Sequence, residues 1–180
     1  MKTYNVTIKF ITDYLQARFT EEAKKELENY VSKGIVKTSD DSWIVLLHQD
    51  ENGIYIPNQQ IRNCLVNAGK EFKVKKQRRS LMAWVISNVI IEPDKIYLNR
   101  MTPDTILVSY PARKDGMRVT LKHPVINKGT QVEFKLSSLD NDMEDKAIKG
   151  LLEAAGKMYG IGARRRDMFG RFELVKFQKE

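Results

Sequence analysis

A chain of 180 residues, 42% hydrophobic and 30% charged, is long enough to bury a core and too apolar to be disordered throughout. Lys and Arg number 31 against 23 Asp and Glu, a net charge of +8 that favours an anionic partner. The single cysteine, Cys64, excludes an internal disulfide framework, and with only His48 and His123 beside it no metal centre or cofactor is expected.

Tyr4 to Phe10 alternates apolar and polar residues with period two and predicts a half-buried strand. Phe19, Ala23, Leu27 and Tyr30/Val31 recur at helical spacing, with Thr20 as N-cap and Gly34 as stop. Trp43 to Leu47 reads as an apolar strand, and the turn Asp50-Glu51-Asn52-Gly53 leads into Ile54-Tyr55-Ile56 as a hairpin. Pro57-Asn58 opens a second helix with Asn58 as its cap and Ile61, Leu65, Ala68 and Phe72 as its core stripe. Lys73 to Arg79 has no apolar periodicity and predicts an exposed loop. Leu81 to Ile91 is apolar and rich in β-branched residues and reads as a strand, although a buried helix fits the same run.

Thr105 to Tyr110, Met117 to Leu121 and Gln131 to Leu136 follow as strands, separated by turns at Asp115-Gly116 and Lys128-Gly129. The last helix carries Ile148, Leu151, Leu152, Ala155 and Tyr159 on one face and ends in Gly160-Ile161-Gly162, before a closing strand from Phe172 to Phe177. The order predicts an α+β fold, one domain of mostly antiparallel strands with segregated helices, a basic loop insertion around 73–79 and a β-hairpin region around 105–136.

The positive charge is segregated. Residues 62–79 hold Arg62, Lys70, Lys73, Lys75, Lys76, Arg78 and Arg79, a net +6. Residues 113–128, with Arg113 at their start, hold a net +4, and residues 157–171, with Arg164, Arg165, Arg166 and Arg171, another +4. The rest of the chain is therefore net acidic, a separation that a merely soluble surface does not require. Phe72 and Trp84 flank the first basic run and Phe169 interrupts the last. Flat rings beside guanidinium groups suit the stacking of single-stranded bases, while core packing is the simpler explanation of Phe72 and Trp84 and as simple a one for Phe169. Gly160 and Gly162 permit tight backbone turns beside the arginines, which offer bidentate phosphate contacts. The order helix, glycines, strand is the reverse of a P-loop or dinucleotide fingerprint.

Chemistry, if there is any, has few candidates. His48 ends an apolar run and reads as structural. His123, beside Lys122 and before Pro124 at a strand end, is a weak candidate for an exposed general base. Asp40-Asp41 and Asp140-Asn141-Asp142 read as turn and cap residues rather than as a two-metal site. The first residues lack a signal-peptide h-region, and no run approaches the ~20 apolar residues of a membrane span, so a cytoplasmic protein is expected.

Two stretches resemble the RAMP superfamily, the RNA-binding backbone and processing subunits of CRISPR effector complexes. Gly53 to Leu65 is similar to that family's strand, Ile-Pro and helix with an early basic residue. Here Asn58-Gln59-Gln60 stand where the family has Gly-Ser-Ser. Gly160-Ile161-Gly162 through Phe169-Gly170-Arg171-Phe172 is similar to its glycine-rich loop before a closing strand. The same stretches are similar to small phage-encoded proteins. The resemblance implies an RRM/ferredoxin-like sheet and a single-stranded nucleic-acid ligand, with a homo-oligomer or larger ribonucleoprotein assembly as the setting.

Three functions stay open at this point. The chain binds single-stranded RNA or DNA without chemistry, with no membrane partner. Alternatively it is a metal-independent endoribonuclease, as the family's processing branch implies. Or it is a protein-interaction subunit, for instance a viral inhibitor of a nucleic-acid enzyme. The composition favours the first.

Overall fold

A computed structural model of the chain describes residues 1–18, 21, 25, 43–72, 80–110 and 120–180. The helix expected over 19–31, the basic run 73–79 with Lys73, Lys75, Lys76, Arg78 and Arg79, and Arg113 lie outside the described residues, as does most of the strand expected from Met117.

The described strands are β1 (Lys2–Phe10), β2 (Tyr14–Leu15), β3 (Gln49–Asp50), β4 (Gly53–Pro57), β5 (Val89–Glu92), β6 (Lys95–Tyr97), β7 (Thr105–Ser109), β8 (Leu121–Ile126), β9 (Gln131–Ser138) and β10 (Phe172–Lys179). Among the described residues three α-helices join them: α1 (Asn58–Ala68), α2 (Leu81–Asn88) and α3 (Asp145–Ala154), the last running into a π turn over Ala155–Tyr159.

The main sheet has the order β10-β1-β9-β5, every neighbour antiparallel. Counting only its own strands along the chain, that order is 4-1-3-2. Helices lie between the first and second strands and between the third and fourth. This is the ferredoxin-like, RRM-like α+β arrangement. The segment between β5 and β9 is enlarged and contains β6, β7 and β8. Of these, β8 and β7 join β2 in a second sheet of order β2-β8-β7, while β6 pairs with the β3–β4 hairpin in a third.

Period-two alternation produces the core. Tyr4, Val6, Ile8 and Phe10 of β1 share a face with Val132, Phe134 and Leu136 of β9, and all are buried. Against them pack Ile61, Cys64, Leu65 and Ala68 of α1 and Ile148, Leu151 and Leu152 of α3. Each such aliphatic or aromatic side chain contributes roughly 1.5–3 kcal/mol on burial. A one-residue slip of β1 would move its whole apolar set to solvent, so the register is strongly specified.

Several expectations need correction. Leu81 to Ile91 is a helix to Asn88 and only then a strand. The apolar run folds as a helix because Leu81 and Val85, one turn apart, both bury beside α1. Gly69 makes that approach possible, since a Cβ there would lie 2.7 Å from the Met82 nitrogen. Tertiary packing overrides the weak β preference of Val85 and Ile86. Trp43 to Leu47 is a single 3₁₀ turn over Ile44–Leu46 that buries Val45, Leu46 and Leu47 without strand pairing. Asn58 does not cap α1: its side chain instead donates to the Ile91 carbonyl and Asp94, and Pro57 occupies the cap position. Because α1 ends at Ala68, Phe72 leaves the core stripe and is 37% exposed. Trp84 packs against the core and donates from Nε1 to Asp140.

Candidate nucleic-acid interface

The segment between the π turn and β10 is an arginine loop, and its shape follows from close packing. Gly160 sits against the Gly170 carbonyl, and Ile161 N–H donates to that carbonyl at 3.0 Å, so the two ends of the loop cross. Gly162 has φ +83°, and a Cβ on it would fall 2.5 Å from the Leu15 carbonyl oxygen and inside the Tyr14 ring. Ala163 N–H donates to Leu15, Gly170 N–H to Asp13, and Arg171 N–H to the Thr12 hydroxyl. The loop is thus bonded along its length to the segment after β1. These glycines admit neighbouring protein, and the N–H groups just named face inward.

The arginines divide into three situations. Arg164 donates from Nε to Asp167 at 2.8 Å and lies 5.7 Å over the Phe169 ring, so part of its capacity is committed. Phe169 in turn packs on Leu15, Ala17, Val125 and Ala163, the half-buried peg that holds the loop to the second sheet. Arg165 and Arg166 occupy a 3₁₀ turn, Arg165–Asp167, and are exposed. Among the described residues neither has an ion-pair partner. Arg171 is different again, at 8% exposed. Its Nη2 donates to the Arg165 carbonyl at 3.2 Å, while Nε and Nη1 are buried without a partner. A buried guanidinium held on the turn's own backbone positions that turn rather than meeting a ligand.

The turn forms one wall of a groove of about 750 Å³. Ser109, Tyr110, Leu121 and His123, toward the Ser109/Leu121 end of the β7–β8 pair, form the other. Tyr110 is 61% exposed. His123, expected near a strand end and open to solvent, lies within β8 and is 8% exposed. Burial and the nearby Arg164 charge hold its imidazolium pKa below the usual 6.5, opposed by a main-chain bond with Gln16. Its Nδ1 is buried with no partner. His48 is also held below its usual value, chiefly by burial, and its main-chain N–H donates to Gln16.

Other sequence candidates stand apart from the groove. Arg62 donates to the Ile86 carbonyl at 2.7 Å and to Val89, so it closes the C-terminal end of α2, where a cation is favoured. Lys70 is exposed at the end of α1 and donates to Asn67. Asp140 accepts from Trp84 and from Asp142 N–H, the turn role expected of it. In the substituted Asn58-Gln59-Gln60, Gln60 accepts from the buried Tyr14 hydroxyl at 2.9 Å. The outer face of the main sheet carries Asn5, Thr7, Lys9, Glu133, Lys135 and Lys176, and none of its described residues is aromatic. Base stacking of the RRM kind has no platform there. Tyr110, on the wall of this groove, is not among the candidates read from the sequence, although an aromatic at a strand end three residues before Arg113 was a visible signal.

No protein-family model matches the sequence, and no curated protein matches it. Solved structures do. A chain of the type III-B Cmr-beta complex, determined by cryo-EM bound to cognate target RNA, aligns with a TM-score of 0.61 and 19% identity. The alignment covers 99% of this chain and 60% of that one, so the chain spans less than two thirds of that neighbour's length. A chain of a type IV-B CRISPR complex aligns over 96% of this chain and 89% of its own at 10% identity, but its TM-score of 0.45 is too low to argue from. The chain shares its fold with that Cmr-beta chain.

Proposed function

We propose that this chain binds single-stranded nucleic acid without chemistry, and that the arginine loop makes the principal phosphate contacts. The observation that carries the reading is the pair Arg165 and Arg166, exposed and unpaired among the described residues, on a turn that Arg171 and Phe169 hold in place. Cations already positioned lose little freedom when they meet a phosphodiester, and a guanidinium can do so bidentately. Lys70 and the basic residues within 73–79 and 113–118 of the sequence are the further cations this reading enlists, with Phe169 beneath Arg164 as packing support. A larger ribonucleoprotein assembly, or a homo-oligomer along the strand, is the setting this reading favours.

The test is an anisotropy titration with single- and double-stranded RNA and DNA of matched length in one buffer. Single strands should bind more tightly, because the groove has room for an unstacked base and the described residues offer no recognition helix for a major groove. Equal or tighter duplex binding would sink the reading.

One observation favours a second reading, metal-independent cleavage of RNA: His123 lines the same groove as the arginines. A neutral imidazole beside a 2′-OH is the general base such chemistry needs, and a guanidinium would stabilise the developing phosphorane charge. Product bands from RNA in EDTA, absent with His123→Ala and with a 2′-deoxy substrate, would establish it over the first.

A further inference from the structure

We propose that Gln60 is a positioning residue for the arginine loop: its amide, oriented by His48, holds the Tyr14 hydroxyl, and the Tyr14 ring carries the loop. For its effect on affinity the inference rests on the single-strand reading above, while the positioning itself is read on the protein alone.

The loop is seated on one short segment. Arg171 N–H donates to the Thr12 hydroxyl, Gly170 N–H to the Asp13 carbonyl and Ala163 N–H to the Leu15 carbonyl, at 2.9, 2.8 and 2.9 Å. Tyr14 stands in the middle of these anchors and is fully buried. Its ring stacks on Phe10, with centroids 5.0 Å apart, and a Cβ on Gly162 would lie 2.4 Å from one of its ring carbons. Ring and loop backbone are therefore in contact, and in a close-packed interior a shift of one shifts the other.

A side chain from another element fixes the far end of Tyr14. Its hydroxyl donates to Gln60 Oε1 at 2.9 Å, and Gln60 sits in the first turn of α1. Burial pushes the Tyr14 pKa up, so the hydroxyl keeps its proton and stays a donor. A buried donor left without an acceptor costs free energy, which ties Tyr14 to the Gln60 oxygen. With Oε1 turned to Tyr14, Gln60 Nε2 faces His48 Nε2 at 3.4 Å. An amide nitrogen only donates, so the neutral His48 ring accepts there and carries its proton on Nδ1.

Protonation of His48 reverses that contact. Nε2 then bears a hydrogen and meets the amide N–H, donor against donor. Turning Gln60 over relieves the conflict, because Oε1 then faces His48 and Nε2 faces Tyr14. The Tyr14 hydroxyl loses its acceptor, and acid loosens the loop through His48, Gln60 and Tyr14. Burial and the Arg18 charge hold the His48 pKa below its usual value, with the Ala17 main chain opposing them, so the ring is neutral at pH 7.5. Also beside His48 are the Tyr55 ring, centroids 5.8 Å apart, and Gln16, which accepts from its main-chain N–H at 2.8 Å. Asp50, two residues on, is paired with Lys95.

Amide hydrogen exchange on the whole chain without ligand reads the loop directly. Gln60→Leu keeps most of the volume and removes both bonds, so the Ala163 and Gly170 amides should lose about tenfold in protection at pH 7.5. The amides of β1 and β9 should keep theirs. Gln60→Glu retains the acceptor for Tyr14 and should restore loop protection at pH 7.5 and also at pH 5.5, where it accepts from protonated His48. In the parent the Gly162 amide signal should titrate with the midpoint of the His48 ring. Tyr14→Phe keeps the ring, drops the hydroxyl and should abolish that titration. Affinity for a single-stranded RNA oligonucleotide should fall about tenfold with Gln60→Leu and recover with Gln60→Glu. Parent protection and affinity in Gln60→Leu would overturn the inference. So would a loss spread evenly over β1, β9 and the loop, the mark of a merely structural residue. Should Gln60→Leu not fold, the titrations of the parent and of Tyr14→Phe still decide, since a Gly162 signal that ignores His48 overturns the coupling. Loss of loop protection in Gln60→Leu, with no oligonucleotide bound even by the parent, would sustain the positioning and remove the single-strand reading alone.

Discussion

Gly162 and Arg171 make opposite demands on the arginine loop. Gly162 leaves no room: its positive φ and its contact with Tyr14 and Leu15 exclude any side chain. Gly162→Val should therefore cost about 3 kcal/mol or more, from overpacking added to left-handed strain. A chemical-denaturation midpoint within error of the parent would contradict this packing. Arg171 is a charge in a place that does not compensate it, with Nε and Nη1 unpartnered. Replacing a buried charge by an apolar side chain of similar volume is often neutral or stabilising. Arg171→Met should thus melt no lower than the parent and yet bind oligonucleotide less tightly, because the Arg165 carbonyl loses its anchor. A lower melting temperature with unchanged affinity would show that Arg171 is structural and nothing more. Cys64 provides a convenient reporter for these variants, since burial pushes its thiol up to about 12 and keeps it unreactive in the folded chain.

At the scale of elements, the arginine loop and the basic run 73–79 can be separated by salt. Each phosphate neutralised on a single strand contributes about −0.7 to the slope of log affinity against log salt, so about five contacts give roughly −3.5. Arg165→Ala with Arg166→Ala should flatten the slope by about 1.4 and barely move the melting temperature, since both side chains are exposed. Replacing Lys75, Lys76, Arg78 and Arg79 with Ala should flatten it further. A quadruple variant with the parent's slope and affinity would return that run to a solvated surface stretch. The main sheet should be indifferent to both sets, because its outer face has no aromatic among the described residues to engage a base.

Over the whole molecule, acid should act first through the histidines. His48 and His123 both have pKa values held below 6.5 in the fold, chiefly by burial, while the unfolded chain takes its protons near that value. The unfolded state then binds more protons below pH 6.5. The stability these residues contribute is complete above that pH and is lost as the pH falls toward the folded values, by at most about 1.4 kcal/mol per unit for each histidine. Asp50, Asp140, Asp145 and Glu180 are shifted below their ordinary carboxylate values, so their contributions fade only at lower pH. Urea midpoints should fall between pH 7.5 and 5.5, and identical midpoints would rule out buried neutral histidines.

Patterns local to a few residues were legible from the amino-acid order alone. Alternation in Tyr4 to Phe10 and Gln131 to Leu136 named two central strands, the Asn-Gly turn named the β3–β4 hairpin, and the face of Ile148, Leu151 and Leu152 named α3, because each pattern carries its own period. The clustering of Arg164 to Arg166 between a helix and a strand was legible for the same reason. Leu81 to Asn88 was not, since a short apolar run satisfies strand and helix alike, and the approach of α2 to Gly69 decided between them. Nor was the fate of the individual arginines. Arg62 closes a helix 24 residues further along the chain, Arg171 is buried beneath its own loop, and Arg165 and Arg166 alone of that loop's arginines remain exposed and unpaired among the described residues. His123 and Tyr110 face the arginine loop from a strand pair some 40 to 55 residues earlier in the sequence. Charge and periodicity are properties of neighbours along the chain, whereas burial and pairing are properties of neighbours in space, and only the packed sheets bring those together.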